Sequence, residues 1–202
     1  MPSPHATEWR GSRSRRGVSL PELLIVLALT GIVSSAALHA LGDLRDERAG
    51  REAARGVVAD LRRVAQAARH ARRALAIEFQ PGDDAAWRVI ADGNGNGVTM
   101  ADVSAGIDVP EAWTPVFREG RASLAITRAV PDTDGSGSIA AGSAPVRFGV
   151  MPRVIFTPRG TATAGSIFVA GRGNRMYAIR VLGSTQRVRL LCLSQVDAWE
   201  AC

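Results

Sequence analysis

The chain has 202 residues and a formal net charge of +6, from 25 basic residues, all of them arginine, and 19 acidic residues. This length leaves material for one modest soluble domain beside a single membrane segment. The three histidines, His5, His39 and His70, are far apart, and none sits beside a plausible nucleophile or metal-ligand partner. The composition therefore excludes the usual enzyme arrangements, and we expect neither catalysis nor a cofactor.

The chain opens with a basic leader that ends at Gly17, and a long apolar segment follows. Residues 23–41 contain no charged side chain. A helix of that length spans roughly 28 Å, close to the thickness of the hydrocarbon core of a bilayer. The arginines of the leader favour a cytoplasmic N-terminus. The alternative is a cleaved secretory signal peptide, with residues 37–40 as the small-residue cleavage site.

One carboxylate, Glu22, lies at the edge of this apolar segment, where an acidic group is costly and usually has a partner. Gly17 followed by Val18-Ser19-Leu20-Pro21-Glu22-Leu23-Leu24 resembles the class III signal of type IV pilins and type II secretion pseudopilins. The resemblance implies that a prepilin peptidase cuts between Gly17 and Val18 and that Val18 becomes N-methylated. It also implies that Glu22, the fifth mature residue, pairs with the N-terminal amine of a neighbouring subunit.

The pattern beyond the apolar segment stays helical and becomes amphipathic. Apolar residues recur at steps of three and four, at Val57, Val58, Leu61, Val64, Ala65, Ala68 and Ala71. No proline interrupts residues 22–80. We therefore predict that the leader, residues 1–17, is cleaved and that one continuous helix follows it. The transmembrane and assembly part of this helix covers 18–42, and its amphipathic part covers 43–74.

The remainder, residues 75–202, is predicted to be rich in strands. Short apolar runs bounded by Gly, Pro and Asp predict strands at 75–79, 87–91, 123–127, 146–150, 154–157, 166–169, 176–182 and 187–193. The stretches 157–163, 165–169 and 177–181 resemble the C-terminal half of the GspH/FimT-type minor pseudopilin domain. Its usual ending, glycine-arginine-x-arginine, is matched by Gln186-Arg187-Val188-Arg189 except at the glycine.

The two resemblances together imply an α+β, pilin-like fold, in which one long N-terminal helix packs on a C-terminal antiparallel β-sheet domain. They imply a minor pseudopilin of a type II secretion system or a minor pilin of a type IV pilus, two machines that share signal, helix and sheet. The expected location is the bacterial inner membrane, with one span, a cytoplasmic N-terminus and a periplasmic C-terminal domain. The expected partners are prepilin peptidase, other pilins or pseudopilins and the inner-membrane assembly platform.

Charge is unevenly distributed along the chain. From Gly135 to Val196 there are eight arginines and no acidic residue, whereas ten acidic residues and four arginines lie between Glu78 and Asp134. Such a basic block favours polyanions, so DNA is a second expected partner. The candidate phosphate-binding residues are Arg172, Arg175, Arg187 and Arg189. In the alternative, the arginines are scattered over both faces of a sheet or meet the acidic middle segment.

The segment Asp92-Gly93-Asn94-Gly95-Asn96-Gly97 begins like a calcium-binding loop, with Asp92, Asn94 and Asn96 as weak candidate ligands. The carboxylate that should close such a loop at its twelfth position is replaced by Val103. A plain turn, in which Asn and Gly accept left-handed backbone angles, is therefore the preferred interpretation, and we expect no metal.

The two cysteines, Cys192 and Cys202, lie late in the chain. In an oxidising compartment they could close a C-terminal loop, which would contribute about 3 kcal/mol on the chain-entropy estimate. Two unpaired thiols are the alternative.

Overall fold

The computed structural model describes residues 19–82, 84–117, 122–135, 137–194 and 196–202, without the side chains of residues 36–44. In chain order the elements are α1 (Leu20–Ala71), β1 (Leu75–Gln80), β2 (Ala86–Ala91), α2 (Met100–Ser104), β3 (Val109–Pro110), β4 (Thr114–Pro115), β5 (Ala122–Ser123), β6 (Val130–Pro131), β7 (Ser138–Ile139), β8 (Val146–Arg147), β9 (Arg153–Phe156), β10 (Gly165–Gly171), β11 (Met176–Leu182), β12 (Arg187–Leu193) and β13 (Trp199–Ala201). A long helix followed by antiparallel strands confirms the predicted α+β, pilin-like class.

The chain divides into two compact units, Met1–Leu41 and Gly42–Cys202. In the first unit, α1 begins at Leu20, and Pro21 occupies the first turn, where its missing N–H has no helical partner to lose. The apolar side chains described between Leu20 and Val33 are all exposed, at 52–75% of their surface. This part of the helix therefore has no apolar partner among the described residues.

The second unit is built around the amphipathic part of α1. Its predicted apolar stripe is buried at Val57, Val58, Leu61, Val64, Ala65 and Ala68, while Ala71, in the last turn, is exposed. Complete burial of one side chain such as Leu61 stabilises the fold by about 2 kcal/mol. The stripe packs against the inner faces of two antiparallel sheets, and all of these residues form one continuous core.

The two sheets differ in how their outer faces are covered. The first has the order β3-β2-β1-β9, with β4 also paired to β2, and the second has the order β13-β12-β11-β10-β5, with β8 also paired to β10. A small apolar cluster that includes Val98 and Val103 covers the outer face of the first sheet. A second cluster, which includes Ile126 and Val130 from the β5–β6 connection and β6, covers part of the second sheet. The rest of that outer face is polar and positions the site described below.

Most of the predicted strands are confirmed, and the failures have a common cause. The predictions at 75–79, 87–91, 154–157, 166–169, 176–182 and 187–193 agree with long strands within one or two residues. The prediction at 123–127 is wrong beyond Ser123, and the prediction at 146–150 is wrong beyond Arg147. Both segments have strand-like composition but form short edge pairs with β10, where few partner residues are available to extend the ladder.

Candidate functional site

The carboxylate of Glu22 lies in the first turn of α1 and is exposed to solvent. The Ser19 backbone N–H lies 3.5 Å from Glu22 Oε2, and the Leu23 N–H donates to Ser19 O at 3.1 Å. A carboxylate in a first turn also interacts favourably with the positive end of the helix dipole. The predicted processing residues, Gly17 and Val18, lie outside the described residues.

Within the part of the chain that the structure describes, no helix combines the length and hydrophobicity needed to cross a bilayer. The predicted transmembrane segment, 18–42, includes positions whose side chains lie outside this description, and it stays a prediction.

The structure places the four candidate phosphate-binding arginines in two separate pairs. Arg172 and Arg175 lie in or beside the β10–β11 turn, and Arg187 lies at the opposite end of β11, where it is paired in register with Leu182. A seven-residue strand is roughly 20 Å long, so one compact site cannot include both pairs. Arg175 also forms an ion pair with Glu47 at 3.1 Å. The two pairs therefore lie apart, and the assignment of phosphate contacts to each pair stays a prediction.

Arg187 and Arg189 lie on one exposed face of β12, as their spacing predicts, with Val188 buried between them. Strand register places further arginines beside them. Arg180 of β11 lies opposite Arg189, Ser166 of β10 lies opposite Arg180, and Arg147 of β8 lies opposite Ser166. Because directly opposed residues project from the same face of a sheet, Arg147, Arg180 and Arg189 form a row, which we call the arginine row.

Hydrogen bonds to hydroxyl groups orient the central member of the arginine row. Arg180 Nη1 donates to Thr133 Oγ1 at 3.2 Å and to Ser166 Oγ at 3.1 Å. Because both acceptors are neutral hydroxyl groups, they do not offset the positive charge of the Arg180 guanidinium. At the end of the row, Arg147 Nη2 lies 3.7 Å from Asp132 Oδ2, a distance of weak attraction between a half-exposed arginine and a mostly buried carboxylate.

Gln186, the residue before β12, connects three parts of the second unit. Its backbone φ is +53°, in the left-handed region that favours glycine. Its side chain is buried, and Nε2 donates to Thr157 O at 2.7 Å and to Thr161 O at 2.8 Å. Its Oε1 accepts from Arg69 Nε of α1 at 3.0 Å. The strain of the backbone is thus offset by three hydrogen bonds that a glycine cannot make.

The candidate calcium loop has the hydrogen-bond pattern of a turn. Asp92 is buried, and its carboxylate accepts from the N–H groups of Asn94, Gly95 and Gly97 at 2.7–3.2 Å. Asn94 Oδ1 accepts from Asn96 N at 3.1 Å. The side-chain oxygens of Asp92 and Asn94, two of the three candidate ligands, therefore accept from backbone donors, which is the pattern of a turn. Among the described residues, no group of three or more His, Cys, Asp or Glu is arranged to hold a metal ion.

Two carboxylates after this loop stabilise it, and sequence reasoning did not identify their roles. Asp108 is fully buried and accepts from the N–H groups of Gly93 and Thr99, both at 2.9 Å. Hydrogen bonds from Asn96 and, to a lesser extent, Thr99 hold the pKa of Asp102 below its usual value. The carboxylates of this loop thus accept hydrogen bonds from the loop itself and do not neutralise the arginines between Gly135 and Val196. The glycine-rich spacing was the only sequence signal of this arrangement.

Cys192 and Cys202 form a disulfide with a Cα–Cα distance of 5.3 Å. It joins β12 to the residue after β13, at the end of the second sheet. Trp199 of β13 donates from Nε1 to Pro131 O at 2.7 Å and packs against Phe168, with ring centroids 5.9 Å apart. The disulfide therefore holds a C-terminal strand that covers part of the outer face of this sheet.

Comparison with known proteins gives one result for the N-terminus. A sequence family described as the prokaryotic N-terminal methylation motif matches residues 12–38, a range that contains Gly17, Val18 and Glu22. Comparisons with curated proteins and with solved structures return no match. The motif, at the start of a helix that is followed by antiparallel sheets, indicates a precursor of the type IV pilin-like or pseudopilin kind, a structural subunit rather than an enzyme.

Proposed function

We propose that this chain is a minor subunit of the GspH/FimT type, assembled into the pseudopilus of a type II secretion system or into a type IV pilus. Prepilin peptidase cleaves between Gly17 and Val18, and Val18 is methylated. Residues 18–42 anchor the subunit in the inner membrane, with the N-terminus cytoplasmic and residues 75–202 periplasmic. The methylation motif over residues 12–38 is the observation that carries this proposal. The disulfide agrees with an oxidising compartment.

Glu22 provides the chemistry of assembly. It is the only acidic residue between the leader and residue 43, and the apolar side chains that follow it on α1 are exposed. In a bundle of such helices the carboxylate would be desolvated, which costs several kcal/mol unless an opposite charge lies beside it. The N-terminal amine of a neighbouring mature chain supplies that charge. Other pilins or pseudopilins and the inner-membrane assembly platform are therefore the expected partners.

The test replaces Glu22 with alanine in cells that carry the complete assembly machinery. Intact-mass analysis should find a chain that begins with methylated Val18 in both wild type and Glu22→Ala, and both should fractionate with membranes. Only the wild type should cross-link into sheared filaments. Glu52→Ala is the matched control, since it removes one exposed acidic side chain from the same helix. Normal incorporation of Glu22→Ala would count against this role, and a mature chain beginning near Leu41 would indicate a secreted domain instead.

A second candidate function, DNA binding by the β-domain, is favoured by the exposed arginines of β12 and by the arginine row. A surface of this kind attracts phosphates without reading base sequence. For the full chain in non-ionic detergent, the logarithm of DNA affinity should fall linearly with the logarithm of salt concentration. Arg187→Ala with Arg189→Ala should weaken binding to all sequences. The control, Arg172→Ala with Arg175→Ala, removes the same charge at the other end of β11. Absent or salt-independent binding by the wild type would leave the assembly role alone.

A further inference from the structure

Nine arginines in the part of the chain that the structure describes fall into two groups by their partners. Carboxylates within 4 Å accompany six of these nine: Arg51, Arg63, Arg88, Arg128, Arg147 and Arg175. Three others are held by neutral acceptors, namely Arg62, Arg69 and Arg180. A guanidinium bonded to a carbonyl or an amide oxygen is fixed in position but keeps its full charge. The second group is therefore oriented in advance for an anion.

Two members of this group, Arg62 and Arg69, lie on α1 and contact β12 or the residue before it. Arg62 Nη2 donates to Val188 O at 3.0 Å, and Arg69 Nε donates to Gln186 Oε1 at 3.0 Å. Both arginines are exposed overall. Val188 lies between Arg187 and Arg189, so the contacts of the helix fall on the same short segment that carries the candidate DNA-binding pair.

An open groove of about 620 Å³ runs along this segment. It is lined by Arg62, Gln186, Arg187, Val188, Arg189, Leu190, Leu191 and Ala201. Three of these side chains are positive, and none is acidic. The groove exists because β13 pairs with β12 only at residues 191–193, which leaves the beginning of β12 without a neighbouring strand on that side.

We propose that α1 and β12 together form a phosphate-binding groove, in which Arg62, Arg187 and Arg189 contact successive phosphates of a nucleic-acid strand. Arg69 does not line the groove, but its hydrogen bond to Gln186 holds a fourth positive charge beside it. Gln186 is a positioning residue, because it holds Arg69 and also anchors the start of β12 to the turn at Thr157 and Thr161. This inference rests on the DNA-binding candidate and is independent of the assembly role. The groove places the nucleic acid along the edge of β12 and away from the β10–β11 turn. It also adds two residues of α1 to the positive charges near the nucleic acid.

The test compares two double variants of the full chain in non-ionic detergent, with a labelled oligothymidylate strand as the probe. Arg62→Gln with Arg69→Gln removes two charges. The glutamine Nε2 can replace the Arg69 Nε donor, whereas the contact of Arg62 Nη2 with Val188 O is lost. The loss of two positive charges at the groove should reduce the slope of log affinity against log salt by about 1.4, which corresponds to a loss of roughly 20-fold in affinity at about 0.1 M salt. The control, Arg63→Gln with Arg175→Gln, removes the same charge from carboxylate-paired arginines and should keep a slope near the wild-type value.

A second variant separates binding from a structural role of the same side chains. Arg62→Lys with Arg69→Lys keeps both charges and should keep most of the salt slope, whereas a merely structural role would give the lysine and glutamine variants the same loss. Equal slopes for wild type and Arg62→Gln with Arg69→Gln, together with a loss in Arg187→Ala with Arg189→Ala, would overturn the groove and leave DNA binding intact. Absence of binding by the wild type would overturn both.

Discussion

Gly50 of α1 lies close against the β10–β11 hairpin, and Gly50→Ala tests that contact. An added Cβ would lie 2.9 Å from Tyr177 Cε2 and 3.2 Å from Gly171 Cα. The ring is restrained because the Tyr177 hydroxyl donates to Glu47 O at 3.1 Å, and the second atom is backbone of β10. Overpacking of this kind costs about 1–3 kcal/mol, whereas alanine in place of glycine in a helix gains about 1 kcal/mol. We expect the free energy of unfolding to fall by about 1 kcal/mol.

Gly56→Ala is the matched control on the same helix. A Cβ at Gly56 meets no atom within 4 Å, so only the helix-propensity gain applies, and the free energy of unfolding should rise by about 1 kcal/mol. Equilibrium urea unfolding of the full chain in non-ionic detergent, followed by tryptophan fluorescence, measures both values. The expected difference between the two variants is about 2 kcal/mol. Equal stabilisation by the two substitutions would refute the argument that this close approach holds the helix on the hairpin.

Three further predictions concern other contacts of the second unit. Burial raises the pKa of Tyr177, so the contribution of its neutral hydroxyl to stability is complete below about pH 10 and is lost as the pH rises further. Tyr177→Phe should lower the free energy of unfolding by about 1 kcal/mol and abolish this loss of stability at high pH. Phenolate absorbance measures the titration of this residue directly, because the chain has one tyrosine. Reduction of the disulfide between Cys192 and Cys202 should lower the free energy of unfolding by about 3 kcal/mol, measured in urea with and without reductant, and an unchanged midpoint would contradict it. Asp108→Ala should lower the free energy of unfolding by about 2 kcal/mol or more, because two N–H groups lose their acceptor. Asp108→Asn should lower it by less, and thermal unfolding should give the asparagine variant the higher midpoint of the two.

The elements predicted correctly are those whose pattern is local and long. The apolar stripe of α1 and the full lengths of β11 and β12 were readable because one face of each is buried along its length. The two-residue strands β3, β6 and β7 were missed, because a strand of two residues leaves no periodic pattern. The helix α2 was also missed, because its five residues are too few to show a helical pattern, although Thr99 caps its N-terminus.

The candidate site shows the same division between local pattern and tertiary contact. The spacing of Arg187 and Arg189 was sufficient to place both on one exposed face of a strand. No spacing could place Arg147 and Arg180 in line with Arg189, since that alignment depends on the register of four strands. The distance between the β10–β11 turn and the start of β12 likewise follows from the antiparallel pairing of β11 with β12 and not from sequence spacing alone.

The sequence by itself determined the class of this protein. The signal consists of a glycine, a carboxylate five residues later and an apolar run. All three are local in sequence, so the signal is complete before the chain folds. Only the tertiary structure decided which arginines remain available to an anion. That property depends on the acceptor that each guanidinium meets: Arg175 shares the carboxylate of Glu47 with Arg51, whereas a carbonyl or an amide only orients Arg62 and Arg69. Those acceptors lie more than a hundred residues away in the chain, and folding alone brings them within hydrogen-bond distance.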